Sequence, residues 1–217
     1  APFKKGNKIF DCFAGDTVFG FVASYNGNYF TGIELREEQA SFNNKTTNEK
    51  ARYICDDGRN VCEHIEKESQ DMFFSCPPYF DLEVYSDKEN DASNQETYEE
   101  FYEILDKAFT ESIKCLKENR FAVVVAGDVR NKKTGEYYDF IGSIKQTFKN
   151  NGMKLYNELI LLDNIGTAAL RANKFSTSRK NVKIHQNIVI FYKGDTNKIK
   201  DTFYNIQEEY FNVGENE

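Results

Sequence analysis

The sequence lacks any apolar run long enough to cross a bilayer. Its first ten residues lack the apolar core and the small-residue cleavage site of a secretory signal. The chain also does not begin with Met, which suggests a processed or excised N-terminus. These absences exclude a helical membrane protein and a secretory precursor, so we expect no membrane partner and a cytoplasmic location.

The sequence has few residues that could bind a metal. Its five cysteines include no CxxC pair, and an odd number cannot all pair within one chain, so reduced thiols are expected. The two histidines, His64 and His185, lie far apart, although Cys62 is close to His64. Because zinc sites need closely spaced Cys or His ligands, we predict no metal site.

The chain also lacks an excess of positive charge. It has 28 Lys and Arg against 35 Asp and Glu, a net charge of −7, which excludes a surface that binds nucleic acid everywhere. With 40% hydrophobic and 29% charged residues, the composition is typical of a globular protein. There is no internal repeat or low-complexity linker, so residues 1–217 are predicted to form a single domain.

The hydrophobic patterns predict an alternation of strands and helices. Short apolar runs predict strands at residues 8–12, 29–34, 52–56, 72–75, 121–126, 155–162 and 187–192. Helical spacing of apolar residues predicts helices at residues 18–25, 36–44, 96–118 and 139–149. This order predicts an α/β fold with a mostly parallel sheet and helices on both faces.

Acidic residues stand at the ends of the first three predicted strands: Asp11, Glu34 and Asp57. Ligands bind at the carboxyl ends of strands in such a sheet, and an acid about 20 residues after a glycine-containing first turn can accept hydrogen bonds from ribose. This pattern favours a nucleoside ligand. The alternative is a solvated strand end or helix cap, which applies most to Asp57 and Asp16.

A proline-proline-tyrosine loop follows the fourth predicted strand, in the string FFSCPPYFDLE. Two prolines stiffen the turn and leave their carbonyls free as acceptors. The ring of Tyr79 could stack on an extruded base while the Pro77 region accepts hydrogen bonds from its amine. The alternative is a turn that only ends the strand and packs a tyrosine.

In their order, FDCFAGD, TGIELREEQ, YICDDG, SCPPYFDLE and HQNIVIFYKGD resemble the amino-methyltransferases that modify adenine N6 or cytosine N4 in DNA, especially those of phages and prophages. The resemblance implies a Rossmann-like class I methyltransferase fold with seven strands, the last antiparallel. It implies S-adenosylmethionine as the cofactor, DNA as the partner, and the cytoplasm of a bacterial or phage-infected cell as the location.

The resemblance also implies roles for individual residues. The expected cofactor-binding residues are Asp11, Phe13, Gly15, Asp16, Thr17, Glu34, Leu35, Asp57 and Ser75. The expected catalytic residues, lining the target-base pocket, are Cys76, Pro77, Pro78 and Tyr79.

The chain departs from this family at three points. Asp16 and Thr17 stand where the family has another glycine or serine, and Cys76 replaces the Asp, Asn or Ser before the first proline. The helix that normally precedes the first strand is missing, so an additional N-terminal segment or a partner subunit is expected to complete the site. The alternatives are transfer to an RNA base or a protein glutamine, and an inactive methyltransferase-like scaffold or specificity subunit.

A basic segment, residues 164–184, separates the last two predicted strands, which usually form a tight hairpin in this architecture. The segment contains no acid. Its cations are expected to contact DNA phosphates: Arg171, Lys174, Arg179, Lys180 and Lys183. The acidic residues 84–96 are instead predicted to form a mobile lid or rim beside the target-base pocket.

Overall fold

A computed structural model describes residues 5–82, 85–166 and 168–203. The strands β1 to β7 are Lys8–Asp11, Tyr29–Glu34, Ala51–Cys55, Gln70–Ser75, Leu116–Ala126, Lys154–Leu162 and His185–Lys193. They form one sheet in the order β3-β2-β1-β4-β5-β7-β6. The first five strands pair in parallel with one another, whereas β7 runs antiparallel to both β5 and β6. The predicted seven-stranded, mostly parallel sheet is therefore confirmed.

Helices cover both faces of the sheet. Helices α1 to α5 are Val18–Tyr25, Glu37–Thr46, Val61–His64, Tyr98–Cys115 and Phe140–Asn150. Helices α1 and α2 pack on one face, and α3, α4 and α5 pack on the other. Helix α4 begins with a capping box, in which Thr97 and Glu100 each accept a hydrogen bond from the other's backbone N–H. None of the helices in the described ranges combines the length and hydropathy needed to traverse a bilayer.

The sheet order places the ends of β1 and β4 side by side. The chain runs from β1 outward through β2 to β3, then crosses back so that β4 pairs with the other edge of β1. At such a reversal the two connections leave in opposite directions, and a crevice opens between the strand ends. Residues 12–16 and 76–79 follow these two strands, so the fold brings them to that crevice.

Helix α4 is shorter than the predicted helix 96–118. It ends at Cys115, and Leu116 begins β5 directly, paired in parallel register with Gln70. Leu116 lies three residues after the buried Ile113, so its position also fits the helical stripe. A buried leucine is compatible with a helix or with a strand at this position. The spacing of apolar residues alone wrongly assigned Leu116 to the helix.

The basic segment between β6 and β7 is not a plain loop. It contains two short helices, α6 at Ala168–Ala172 and α7 at Lys174–Ser178, with Thr167 outside the described residues. A last short helix, α8 at Ile199–Thr202, follows β7.

The core beneath α4 and α5 is largely aromatic. The ring of Phe148 on α5 stacks on that of Phe191 on β7, with centroids 4.2 Å apart and planes at 9°. Both side chains are fully buried. Aromatic packing of this kind contributes beyond the burial of apolar area.

We expect Phe148→Ala to lower the free energy of unfolding by about 3–5 kcal/mol, because it leaves a cavity between the helix and the sheet. Phe42→Ala is the control, since Phe42 is 56% exposed. Urea denaturation measures both changes, and equal losses for the two variants would contradict this account of the core.

Candidate active site

A cavity of about 320 Å³ opens at the crevice between the ends of β1 and β4. Six of the predicted cofactor-binding residues line it: Phe13, Gly15, Asp16, Glu34, Leu35 and Asp57. All four predicted target-base residues line it as well: Cys76, Pro77, Pro78 and Tyr79. Its volume lies within the range of about 300–1,000 Å³ that is usual for small-molecule sites.

Glu34 ends β2 and is 7% exposed. Its Oε1 accepts hydrogen bonds from the backbone N–H of Arg36 at 2.9 Å and from Arg36 Nε at 3.0 Å. Both bonds go to the same oxygen, so Oε2 takes none from the residues described here. Arg36 thus holds the carboxylate in place and leaves one oxygen for a ligand, a role that only the fold revealed.

Asp57, after β3, is already engaged. Its carboxylate accepts bonds from Arg59 Nε at 3.0 Å and Nη2 at 2.7 Å, and from Asn90 Nδ2 at 2.9 Å. Its Oδ1 also caps the turn at Arg59 N, so the helix-cap interpretation applies here. Although burial opposes the effect, the hydrogen bonds and the charge of Arg59 lower the pKa of Asp57 below its ordinary value.

Gly58 follows Asp57 and brings two loops into contact. A methyl group on its Cα would lie 2.3 Å from the carbonyl oxygen of Cys12, in the turn after β1. Only glycine allows this approach. The turns after β1 and β3 are therefore packed against each other along the cavity wall.

The acidic segment covers the side of the cavity where Asp57 lies. Lys88 Nζ donates to the carbonyl of Leu35 at 2.6 Å, and Asn90 contacts Asp57. Tyr85, Asn90, Asp91 and Ala92 line the cavity. Residues 85–95 also carry internal bonds, such as Ser86 Oγ to Asp91 Oδ2 at 2.7 Å. The segment therefore forms a rim, as predicted, but on the side of the strand-end acids; Val84 lies outside the described residues.

Tyr79 stands at the opposite side of the cavity. Its hydroxyl donates to Gln186 Oε1 on β7 at 3.3 Å, and its ring meets that of Phe140 edge-on, with centroids 6.2 Å apart. The side chain is half-buried, and burial raises its pKa above the ordinary value. Contacts with β7 and α5 therefore hold the side chain, which remains at the rim. Nothing in the spacing of the sequence singled out Gln186.

Cys76 precedes the two prolines. Desolvation at the cavity wall raises the pKa of its thiol to about 11, with a further contribution from the charge of Asp11. The thiol is therefore protonated at neutral pH. Because the thiolate is the reactive form, Cys76 is not activated as a nucleophile.

Three predicted cofactor-binding residues lie outside the cavity lining. Asp11 is buried, with Oδ1 accepting from Phe13 N at 2.8 Å, so it shapes the turn from beneath. Ser75 is buried close to Asp11, but its hydroxyl makes no hydrogen bond of ordinary geometry with the described residues. Thr17 is the N-cap residue directly before α1, and its carbonyl accepts from Tyr53 Oη at 3.3 Å.

Asp16 is exposed at the cavity mouth, with Oδ1 accepting from Val18 N at 2.8 Å at the start of α1. Its carboxylate therefore satisfies the backbone N–H of the first residue of α1, and the residue lines the cavity as well. The family that the sequence resembles has a glycine or serine here, so Asp16 is a departure from its pattern.

A second depression lies beside the hairpin of residues 129–138, which follows β5. Four of the five cations predicted for DNA line it: Arg171, Lys174, Lys180 and Lys183. Arg179 does not, because its guanidinium donates to the carbonyls of Phe175 at 3.3 Å and Ser176 at 3.0 Å on its own helix.

No family model matches the sequence, and neither does any curated protein. The structure is similar to a TehB-like SAM-dependent methyltransferase from Corynebacterium glutamicum, with TM-score 0.55 and 15% identity over 88% of this chain and 82% of that one. A SAM-dependent methyltransferase from Archaeoglobus fulgidus gives TM-score 0.57 and 11% identity over 88% of each chain. The [4+2]-cyclase SpnF gives TM-score 0.55 and 13% identity over 88% of this chain and 76% of that one.

At sequence identities of 11–15%, the structural similarity establishes the fold alone. The chain has the Rossmann-like class I methyltransferase fold, with the antiparallel strand β7 between β5 and β6. The sequence-based prediction of this fold is confirmed. Because a cyclase shares it, the chemistry must be argued from the site.

The buried carboxyl of Asp11 generates a prediction about pH. Burial raises its pKa from 3.8 to about 7. Between these values the unfolded chain has lost this proton and the native state keeps it, so the free energy of unfolding should fall as pH rises, by about 1.4 kcal/mol per pH unit from this group.

Asp11→Asn keeps an acceptor for Phe13 N and cannot ionise, so this variant should lack that slope. Urea denaturation of both proteins from about pH 5 to pH 7 measures the difference. Asp56 and Asp57 have lowered pKa values and lose their contribution only at lower pH, outside this window. Parallel stability curves for the two proteins would rule out the buried, protonated Asp11.

Proposed function

We propose that this chain is an S-adenosylmethionine-dependent methyltransferase that modifies the exocyclic amine of adenine (N6) or cytosine (N4) in DNA. One observation carries the proposal: a single cavity is lined both by the strand-end acids Glu34 and Asp57 and by the loop from Cys76 to Tyr79. The shared fold with proteins named as SAM-dependent methyltransferases supports the cofactor.

The cofactor would occupy the side of the cavity nearest β1, β2 and β3. The free Oε2 of Glu34 suits ribose hydroxyls, and apolar contacts from Ile33, Ala92 and Ile104 suit an adenine ring. Asp57 already accepts four hydrogen bonds from Arg59 and Asn90, so it would shape the adenine side of the pocket rather than bind the ring directly. When bound, the cofactor supplies an electrophilic methyl group.

The target base would stack on Tyr79. Gln186 and Phe140 hold the ring, so little conformational freedom is lost when a base binds. The carbonyls of residues 76–78 are suited to accept hydrogen bonds from the amine and so orient its lone pair. Cys76 holds its proton and has no covalent role in this scheme. The contribution of the chain is positioning.

A nucleic-acid target is supported by the cations beside the cavity. Arg171, Lys174, Lys180 and Lys183 line one depression in a chain with a net charge of −7. A polyanion explains such a concentration better than a glutamine side chain does. We accordingly place the protein in the cytoplasm, where DNA is available. An RNA base remains the runner-up substrate. An inactive scaffold need not retain the cofactor, so cofactor binding separates it from the enzyme.

Glu34→Ala should weaken binding of S-adenosylmethionine by about tenfold or more, because hydrogen bonds to a charged group contribute about 1.5–3 kcal/mol. Glu37→Ala is the matched control, since Glu37 is exposed on α2 and does not line the cavity. Isothermal titration calorimetry measures both. A wild-type chain that does not bind the cofactor would exclude the enzyme, and equal affinities for the two variants would remove Glu34 from the site.

Tyr79→Ala should abolish methyl transfer while leaving cofactor affinity nearly intact, because only the base loses its stacking surface, worth about 1–3 kcal/mol, and its position. Tyr79→Phe keeps the ring and loses only the contacts of the hydroxyl, with Gln186, Gly127 and Cys76, so it should retain most activity.

The readout is modified-base sequencing of DNA from cells that express each variant, which also distinguishes adenine from cytosine. RNA from the same cells tests the runner-up substrate. If Tyr79→Ala also lost the cofactor, the division of the cavity into two halves would be wrong.

A further inference from the structure

The depression beside the active site has a second wall that the charge pattern of the basic segment did not reveal. It encloses about 420 Å³ and is lined by six cations and one acid. The cations are Arg130, Lys132, Arg171, Lys174, Lys180 and Lys183, and the acid is Asp128. We call this depression the basic groove. One wall is the segment 171–183, and the other is the hairpin formed by residues 129–138.

The hairpin is well ordered by backbone bonds. Tyr138 N donates to the carbonyl of Val129 at 3.0 Å, and Asn131 N donates to that of Glu136 at 2.8 Å. Asn131 Oδ1 accepts two further backbone N–H groups at the turn. A side chain on this hairpin is therefore presented from a fixed backbone.

Among the residues that the structure describes, the contacts that hold Arg130 in place involve no acid. Its Nη1 donates to the carbonyl of Gly135 at 2.7 Å, and its guanidinium lies 3.7 Å from the centre of the Tyr137 ring. These contacts orient the planar group and leave its other N–H donors for a ligand. A guanidinium so fixed loses little entropy when it binds phosphate.

The two walls are in contact. Gly135 has φ +83°, and a methyl group on it would lie 2.6 Å from both Cε and Nζ of Lys180. The end of the Lys180 side chain therefore lies against the turn of the hairpin. Lys183 Nζ lies 5.9 Å from the Tyr137 ring. The groove is thus built by both segments, which are far apart in the sequence.

Most cations of the groove form no ion pair within the described parts of the chain, although Asp128 and Asp163 act electrostatically on Lys183. Lys132 is paired with Asp81, Nζ to Oδ2 at 2.9 Å. The other five cations form no salt bridge with any residue that the structure describes. Cations that repel one another in a shared concavity attract a polyanion and gain from neutralisation by it.

The groove leads to the catalytic tyrosine. A methyl group on Gly127 would lie 3.6 Å from the Tyr79 ring and 3.8 Å from Lys183 Nζ. The ring and the ammonium group therefore flank one backbone position. A strand whose base reaches Tyr79 would bring its neighbouring phosphates to Lys183 and Arg130.

We propose that the hairpin of residues 129–138 and the basic segment together form a phosphate clamp, in which Arg130 and Lys183 grip the sugar-phosphate backbone next to the base that stacks on Tyr79. This inference rests on the proposed function for its position relative to the base. Its ligand chemistry, the phosphodiester, is common to DNA and RNA.

The test measures binding of the full-length chain to a short fluorescent oligonucleotide by anisotropy, without the cofactor, over a range of salt concentrations. Arg130→Ala should weaken binding roughly fivefold or more and reduce the slope of log K against log salt by about 0.7–0.9. Lys133→Ala is the matched control, because it removes the same charge from an exposed position of the same hairpin that does not line the groove.

Lys174→Ala is a second groove variant, which tests the clamp even if Arg130→Ala disturbs the fold of the hairpin. Lys174 is exposed on α7 and lines the groove, so its loss should weaken binding without affecting the hairpin. The same sequence is offered as DNA, as RNA and as uncharged peptide nucleic acid, and polyglutamate is used as a competitor. We expect the two phosphodiester strands to bind and the peptide nucleic acid not to bind.

Equal affinities for Arg130→Ala and Lys133→Ala would overturn the clamp, as would binding of the peptide nucleic acid or competition by polyglutamate as effective as that by DNA. Tighter binding of RNA would support the clamp and change the substrate of the proposed function. Binding that depends on Arg130 in a chain that fails to bind S-adenosylmethionine would support the clamp and reject the enzyme.

Discussion

The parallel pairing of β1 with β4 determines where the chemistry of this protein can occur. Ile9 pairs with Met72 and Phe10 with Phe73, so the turns that follow the two strands leave the sheet next to each other. Neither turn could form the cavity alone. The buried aromatic core beneath α4 and α5 holds the strands in this arrangement and so fixes the distance between the two halves of the site.

The cavity is completed from both sides by segments that belong to neither turn. On one side, residues 85–95 are attached through Asn90 to Asp57 and through Lys88 to Leu35. On the other side, Gln186 on β7 holds the hydroxyl of Tyr79. The first pair of contacts attaches the rim to the half of the cavity next to β2 and β3, whereas the bond to Gln186 positions Tyr79 on the other half.

The charged residues are also distributed differently on the two sides of the cavity. Acids line the half of the cavity near β2 and β3, where Arg36 and Arg59 partly neutralise them. Cations gather in the basic groove beyond Tyr79. A ligand with hydroxyl groups and a ligand with phosphates would be directed to different sides, and the two would meet at the proline-stiffened loop.

The sequence by itself determined the periodicity of the elements and the identity of the groups at the strand ends. These are local properties: apolar spacing distinguishes strand from helix, and the carboxyl ends of parallel strands always share one edge. The sequence-based prediction was wrong at Leu116, because this residue fits both the apolar stripe of α4 and the start of β5. Only the tertiary structure decided that Asn90 occupies Asp57 and that Arg130 and Lys183 line one groove, because packing brings these separate stretches of chain together. The contact of Arg36 with its near neighbour Glu34 is local, but its geometry depends on the turn that follows β2.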